Sequence, residues 1–325
     1  MTADQSIQKR SLGKTGIMVT PIGLGVMQFS GGGSSVFNVA FPDLSQETKS
    51  AIVRAALEGG INWFDTAEMY GLGRSENSLA HALKAAGKAD GEVVVATKWL
   101  PLFRMAGHIK RSIHNRLRFL QGYSVGLYMV HQPWGFSSPE AEMDVMADLV
   151  EVGHIRSIGV SNFSADRMRR AYQALEKRGL PLAANQMEYS LLNRKIETDG
   201  VLAVAKELGV TIIAYTPLAN GLLSGVYHKN PDLLLSKPRF WRAKIERHIG
   251  RTRPLIEALD EIAGRYQVTP AQVALNWVIN FQGESVVAIP GASKIYQAEE
   301  AAGAMSFRLL DGDLTRLDEL SRDYR

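Results

Sequence analysis

The feature that most constrains the fold of this chain is a regular alternation of eight short apolar segments with longer helical patterns. Some of the segments, such as Val93–Lys98, are nearly continuous apolar runs, which is typical of strands buried on both faces of a parallel sheet. The eight candidate strands are Pro21–Gly25, Trp63–Asp65, Val93–Lys98, Leu127–His131, Ile155–Val160, Ala183–Met187, Thr211–Tyr215 and Val286–Ile289. Between them, segments such as Gln46–Glu58 repeat apolar residues at helical spacing. This order predicts an α/β fold, either a barrel or a doubly wound sheet.

The glycine pattern decides between these two folds. A doubly wound dinucleotide-binding sheet carries G-x-G-x-x-G at its first turn. The two candidate motifs begin at Gly23 and Gly71, but they have Gln28 and Glu76 where the third glycine belongs. We therefore predict a (β/α)8 TIM barrel. Barrels of this size are ordinarily one domain, so we expect a single domain over residues 1–325.

Three segments fall outside the repeating pattern. Two short extended stretches flank Ser11–Gly16 and predict a β-hairpin before the first barrel strand. Two long segments without clear periodicity, Ser30–Leu44 and Ala219–Arg253, follow strand ends and are expected as long loops on the C-terminal face, where barrel enzymes have their active sites. Basic residues are concentrated over Lys237–Arg253. They form either a solvated face or an attractive surface for an anionic ligand such as a cofactor phosphate.

Composition excludes several classes of function. The chain has no cysteine, which rules out disulfides, thiolate metal sites and cysteine nucleophiles. No cluster of metal-ligand residues stands out, so no metal is expected. The net charge of +4 is mild and no nucleic-acid-binding motif occurs. No apolar run reaches membrane-spanning length and the first residues are polar. We expect a cytoplasmic monomer or weak homo-oligomer, with a plastid location left open, that binds neither nucleic acid nor membrane.

Polar residues at three consecutive strand ends suggest a reactive site. Asp65, Lys98 and His131 each follow an apolar run, and Tyr70 lies on the loop after Asp65. A phenol, with an ordinary pKa of about 10, becomes a useful proton donor when a cation such as Lys98 stabilises its anion. Asp65 would keep Lys98 protonated, and His131 would hydrogen-bond a substrate carbonyl or assist proton transfer at lower pH. Taken singly, an Asp–Lys pair is usually a structural salt bridge and a His near a barrel mouth is usually a polar loop residue.

The surrounding motifs resemble one enzyme family. Gly60–Gly71, followed by Ser75-Glu76, is similar to the aldo-keto reductase signature, in which an Asp and a Tyr stand five positions apart. Further segments resemble family motifs in the family's order: Val95–Lys98, Leu127–His131, Ile158–Phe163, Asn185–Ser190, Ala214–Leu218 and Ile289–Lys294. The resemblance covers nearly the whole chain. It implies a reductase in which Tyr70 donates the proton and Asp65, Lys98 and His131 support it.

The resemblance also implies a cofactor, NADPH or NADP+, with weaker use of NADH possible. Ser161, Asn162 and Gln186 would hold the nicotinamide carboxamide, Tyr215 would stack on the ring, and Lys294 would bind the 2′-phosphate together with Ser293. The remaining expected cofactor contacts are Met27, Asp65, Pro217, Leu218, Gly221, Leu222, Leu223, Gly291, Gln297 and Glu300. Two positions depart from the family pattern, Val226 and Ala301, where the family often has Lys and Asn.

Large apolar residues near the strand ends bear on the substrate. Phe29, Trp99 and Trp134 are predicted to line the mouth of a substrate pocket, although packing at the barrel end explains them equally well. Such a mouth would suit an aromatic or medium-sized aldehyde. The leading hypothesis is NADPH-dependent reduction of an aldehyde or ketone, and some members of the plastid-type subgroup that this chain resembles reduce pyridoxal. Two alternatives are a cofactor-binding regulatory or structural barrel with little turnover, and an NAD(P)+-dependent sugar or alcohol dehydrogenase.

Overall fold

A small hairpin at the N-terminus closes one end of the molecule. The computed structural model describes residues 7–31, 43–236 and 239–325. Strands β1 (Arg10–Ser11) and β2 (Met18–Val19) pair antiparallel, as the sequence predicted. Leu12, between them, is fully buried and packs in the same cluster as Trp63 of the barrel interior. Gly13 has φ +54° and lies so close to Ala183 that a Cβ would stand 2.6 Å from its carbonyl oxygen, so a larger residue would push the hairpin away.

Eight parallel strands form the barrel. They are β3 (Leu24–Gly25), β4 (Trp63–Asp65), β5 (Val94–Trp99), β6 (Leu127–Val130), β7 (Ile158–Ser161), β8 (Leu182–Glu188), β9 (Thr211–Tyr215) and β10 (Val286–Ile289), hydrogen-bonded in chain order. The first and last strands meet through parallel bridges from Ile22 to Ala288 and from Gly25 to Gly291. The predicted (β/α)8 TIM barrel is confirmed, with strand boundaries that differ from the sequence prediction by a few residues.

Helices between the strands cover the barrel. Within the described part of the chain they are α1 (Gln46–Glu58), α2 (Arg74–Ala85), α3 (Ile109–Phe119), α4 (Pro139–Glu151), α5 (Ala165–Glu176), α6 (Val201–Leu208), α7 (Val226–Lys229), α8 (Arg239–Tyr266), α9 (Pro270–Asn280), α10 (Ile295–Gly303) and α11 (Asp311–Leu320). Several begin at side-chain caps: Ser45 and Thr269 accept hydrogen bonds from backbone amides of the first turns of α1 and α9. None of the helices described is long and apolar enough to cross a membrane.

The prediction of a long loop over Ala219–Arg253 was wrong for most of its length. The segment contains a 3₁₀ helix at Ala219–Ser224, then α7, then a second 3₁₀ helix at Pro231–Ser236, and α8 begins at Arg239. Arginine and lysine are good helix formers, so a basic stretch can form a helix when neighbouring helices, here α9 and α11, give α8 a surface to pack on. The other predicted loop, Ser30–Leu44, lies mostly outside the described residues, which end at 31 and resume at 43.

Strand periodicity sorts the side chains between the barrel interior and the helix layer. In β5, Val94 and Ala96 belong to the interior cluster, whereas Val95 and Trp99 pack with the helices. The same alternation in β6 turns Leu127 and Met129 inward. Because side chains alternate along a strand, Lys98 continues the inward row of β5, above the apolar layers and at the C-terminal mouth.

Candidate active site

Four predicted side chains meet at the C-terminal mouth of the barrel. Asp65 ends β4, Lys98 is the penultimate residue of β5, and His131 follows β6. The Lys98 Nζ donates hydrogen bonds to Asp65 Oδ1 at 2.5 Å and to the carbonyl oxygen of Thr66 at 2.8 Å. Lys98 and Asp65 are almost completely buried. A buried charge requires such a paired and hydrogen-bonded partner, so the two residues form one electrostatic unit.

Tyr70 lies beside this ion pair. Its ring centroid is 5.1 Å from the Lys98 Nζ. The His131 ring meets it edge-on, with centroids 5.8 Å apart and an interplanar angle of 84°. Tyr70 is half-buried, on the loop that follows β4. The structure therefore brings a phenol, an ammonium, a carboxylate and an imidazole into one cluster.

Burial dominates the titration of the cluster. It raises the pKa of Asp65 and lowers the pKa of Lys98, and in both cases the charge of the partner opposes the shift. Burial, followed by the negative charge of Asp65, raises the pKa of Tyr70 above its ordinary value. From the sequence, Lys98 is expected to favour the phenolate form of Tyr70. Asp65 offsets that effect because its carboxylate lies against the same ammonium, so Tyr70 holds its proton at neutral pH.

The environment of His131 selects between its two expected roles. Burial, followed by the positive charge of Lys98, lowers the pKa of His131 to about 3. The imidazole is therefore neutral from mildly acidic pH upward. Its Nδ1 is buried and has no hydrogen-bond partner among the residues that the structure describes. This favours a neutral ring that hydrogen-bonds and orients a ligand over a charged ring that supplies a proton.

A second cluster adjoins Asp65. The Gln186 Nε2 donates to Asp65 Oδ2 at 3.0 Å, and the Ser161 hydroxyl donates to the Gln186 carbonyl oxygen at 3.1 Å. Asn162 donates to Ser161 Oγ at 3.0 Å and accepts from the Tyr215 hydroxyl at 3.0 Å. Asn162 adopts a left-handed φ of +59°, which Asn tolerates better than most residues. Amide, hydroxyl and aromatic groups assembled in this way match a flat heteroaromatic ring that carries a carboxamide.

The remaining predicted cofactor residues follow β3, β9 and β10, at the same end of the barrel, and two of them, Gln297 and Glu300, lie in α10. Met27 is exposed, Pro217, Leu222 and Leu223 are buried, and Leu218 and Gly221 are partly exposed. Gly291 is exposed and the Ser293 amide and hydroxyl donate to Gln297 Oε1 at 2.8 and 3.2 Å. Lys294 is exposed and its ammonium lies 5.7 Å from the Tyr296 ring centroid. Glu300 is partly buried, and burial raises its pKa.

Two of the predicted substrate contacts need correction. Phe29 and Trp99 have no exposed surface and pack between the barrel and the helices, so they cannot line an open mouth in this arrangement. Trp99 follows the inward-facing Lys98, and strand alternation therefore turns it outward. Trp134 is about half exposed.

An exposed group of apolar side chains surrounds Trp134, and it was not predicted from the sequence. This apolar patch consists of Leu102, Phe103, Met105, Trp134 and Phe136. The Phe103 and Phe136 rings are 6.1 Å apart, and the Phe136 amide donates to the Arg104 carbonyl oxygen, which ties the loops after β5 and β6 together. The signal in the sequence that could have found this patch is the position of its residues. They follow β5, which carries Lys98, and β6, which precedes His131. Their exposure was not visible in the sequence.

A buried carboxyl group lies next to the Trp134 loop. Glu142, in the first turn of α4, is fully buried, and neither carboxylate oxygen has a hydrogen-bond partner among the described residues. It lies against the loop at Gly135, where a Cβ would stand 2.8 Å from the Glu142 Oε1. Burial raises the pKa of Glu142 to about 7, and Arg167 opposes the shift.

Glu142 should make stability depend on pH. Its folded pKa lies above its unfolded value, so its stabilising effect is full at low pH and is lost as pH rises through about 7. Because of Glu142, the free energy of unfolding of the wild type should fall by roughly 3 kcal/mol between about pH 4 and about pH 8. In Glu142→Gln this contribution to the fall should be absent. Urea unfolding of both proteins across this range measures the difference. Parallel pH dependences for the two proteins would contradict the assignment.

Comparison with known proteins places this geometry in a family context. The model of the Aldo/keto reductase family matches residues 21–322. An uncharacterized oxidoreductase of Mycobacterium tuberculosis is 37% identical over 310 residues, which cover 94% of this chain and 91% of that protein. The chloroplastic pyridoxal reductase of Arabidopsis thaliana is 30% identical over 320 residues, covering 94% and 84%. A crystal structure of an aldo-keto reductase from Klebsiella pneumoniae in complex with NADPH has a TM-score of 0.75 and 25% identity, covering 97% and 95% of the two chains.

Proposed function

The chain belongs to the aldo/keto reductase family, and from this premise we propose that it reduces an aldehyde or ketone to an alcohol with NADPH. The observation that carries the proposal is the position of Lys98. Its ammonium lies 2.5 Å from the Asp65 carboxylate and 5.1 Å from the Tyr70 ring centroid, with His131 at the edge of that ring. This arrangement fits proton delivery to a carbonyl oxygen.

Each residue of the cluster has a distinct task. The nicotinamide, when bound, supplies the hydride that adds to the carbonyl carbon. Tyr70 donates its proton to the carbonyl oxygen, and Lys98 stabilises the phenolate charge that develops. His131, neutral at working pH, hydrogen-bonds the carbonyl and fixes its direction. Solvent then returns a proton to Tyr70. The apolar substituent of the substrate contacts Trp134 and its neighbours Phe103 and Phe136.

The second cluster would hold the cofactor. Ser161, Asn162 and Gln186 offer donors and acceptors for the carboxamide, and Tyr215 offers a ring for stacking. Lys294, exposed before α10, would bind the 2′-phosphate. The structural relative from Klebsiella pneumoniae in complex with NADPH supports this choice.

Turnover assays test the proposal directly. The purified protein is mixed with NADPH and, in turn, 4-nitrobenzaldehyde, methylglyoxal and pyridoxal, and the near-ultraviolet absorbance of NADPH is followed. We expect turnover with at least one aldehyde. Tight NADPH binding without turnover on any of them would favour the regulatory barrel. Rates with the corresponding alcohols and NADP+ compare the two directions and test the dehydrogenase alternative.

Cofactor selectivity should depend on Lys294. We expect Lys294→Ala to weaken NADPH binding about tenfold and NADH binding less than about twofold, because only NADPH carries the 2′-phosphate. Titration of cofactor fluorescence gives both dissociation constants. Lys177→Ala removes an exposed lysine after α5 and serves as the control. Equal losses for the two cofactors would remove Lys294 from the phosphate site.

A further inference from the structure

A buried carboxyl group lies behind the strand that carries Lys98. Glu76, in the first turn of α2, has no exposed surface. The Thr97 hydroxyl donates to Glu76 Oε1 at 2.6 Å. Thr97 immediately precedes Lys98, so its side chain points away from the barrel interior while that of Lys98 points into it. The hydrogen bond therefore joins α2 to the strand one residue before the reactive lysine.

The charge of Glu76 is incompletely balanced. From α3, the almost fully buried Arg116 places Nη1 at 3.3 Å from Glu76 Oε2. That oxygen nevertheless lacks a hydrogen-bond partner within the described ranges. The other charged or titratable groups that face Glu76 are Glu68, on the loop after β4, Tyr128 of β6, and Lys98 itself. An ionised Glu76 thus adds negative charge that acts on Lys98 from the helix layer.

We propose that Glu76 is a positioning residue for Lys98, which anchors the end of β5 through Thr97 and, when ionised, supports the lysine ammonium. The proposal rests on the proposed function, because it assigns Lys98 its role beside Tyr70. It adds a second carboxylate to the one that touches the ammonium directly. Asp65 binds Lys98 inside the barrel, and Glu76 acts on the same residue from the helix layer.

The protonation of Glu76 makes this role depend on pH. Burial raises the pKa of Glu76 to about 7, against the opposing effects of Arg116 and of the Thr97 hydrogen bond. Below that pH the carboxyl group is neutral and resembles an amide. Above it, the carboxylate favours the charged form of Lys98. The difference between Glu76 and an isosteric glutamine should therefore appear only as pH rises through neutrality.

Three variants separate charge from anchoring. Glu76→Gln removes the charge and keeps an oxygen that can accept from Thr97. Thr97→Val removes the hydroxyl at nearly constant volume, and Thr97→Ser keeps it as the matched control. We measure kcat of each with the best aldehyde between roughly pH 5 and pH 9, a range that brackets neutrality. The expected result for Glu76→Gln is a wild-type kcat at the acidic end and a loss of about tenfold at the basic end. Thr97→Val should lose activity at every pH, and Thr97→Ser should not.

The outcomes discriminate between the explanations. A loss in Glu76→Gln that is the same at every pH would mean a purely structural role, and no loss at any pH would mean no role. Either result overturns the proposal. If Glu76→Gln does not fold, the Thr97 pair decides, because equal kcat values for Thr97→Val and Thr97→Ser would equally overturn it.

A readout without turnover keeps this test separate from that of the proposed function. In protein labelled with ¹³C at the lysine side chains, the Lys98 resonance is assigned by its loss in Lys98→Arg, and its titration is followed by NMR. In Glu76→Gln the Lys98 ammonium should lose its proton at lower pH than in the wild type. If the wild type reduces no carbonyl, the proposed function fails while this shift still tests the coupling. An unchanged titration would overturn the coupling even in an active enzyme.

Discussion

Replacement of Tyr70 by Phe is expected to lower kcat by about a thousandfold or more, while the dissociation constant of NADPH changes by less than about twofold. Phenylalanine fills the same space beside Lys98 and His131 but has no proton to donate. The loss falls on kcat because the hydroxyl acts when charge develops on the carbonyl oxygen. Steady-state rates and fluorescence titration of NADPH measure the two quantities.

A matched tyrosine controls this experiment. Tyr123 lies on the loop before β6, away from the mouth, and its hydroxyl donates to the backbone carbonyl oxygen of Lys88. Tyr123→Phe should leave kcat unchanged. Near wild-type kcat in Tyr70→Phe would show that another group supplies the proton, and the role given to Tyr70 would be wrong.

Removal of Lys98 is expected to damage both activity and stability. Lys98→Met leaves the Asp65 carboxylate buried with only Gln186 as a remaining described side-chain donor. Breaking a buried ion pair by deleting one partner costs about 3–5 kcal/mol. The phenolate of Tyr70 also loses its stabilising charge, so kcat should fall about a hundredfold or more. Urea unfolding and steady-state kinetics measure the two effects.

A double variant separates the two effects. Lys98→Met with Asp65→Asn removes both charges, so most of the lost unfolding free energy should return. Activity should remain low, because no cation faces Tyr70. Recovery of kcat in the double variant would mean that the ammonium has no role in the chemistry. If Lys98→Met unfolds at the same urea concentration as the wild type, water must reach the Asp65 carboxylate more readily than its burial indicates.

The sequence was most informative where the repeat of short apolar strands determines both the fold and the positions of the residues at the strand ends. Mainly apolar runs of three to six residues predicted the strands, and a barrel places the ends of parallel strands at one mouth. The positions of Asp65, Lys98 and His131 in the sequence therefore suffice to group them at the mouth. The same reasoning failed at Trp99. Whether a strand side chain points into the barrel or toward the helices changes from one residue to the next, and Trp99 points toward the helices.

The sequence by itself determined the barrel, the family motifs and the identity of the residues at the mouth, because these depend on local pattern and chain order. Only the tertiary structure decided their chemical state. It set the neutral form of His131, balanced Lys98 with Asp65 so that Tyr70 stays protonated, and brought Glu76 behind Thr97 from another element. Desolvation and charge–charge coupling depend on three-dimensional distance, which no spacing along the chain records.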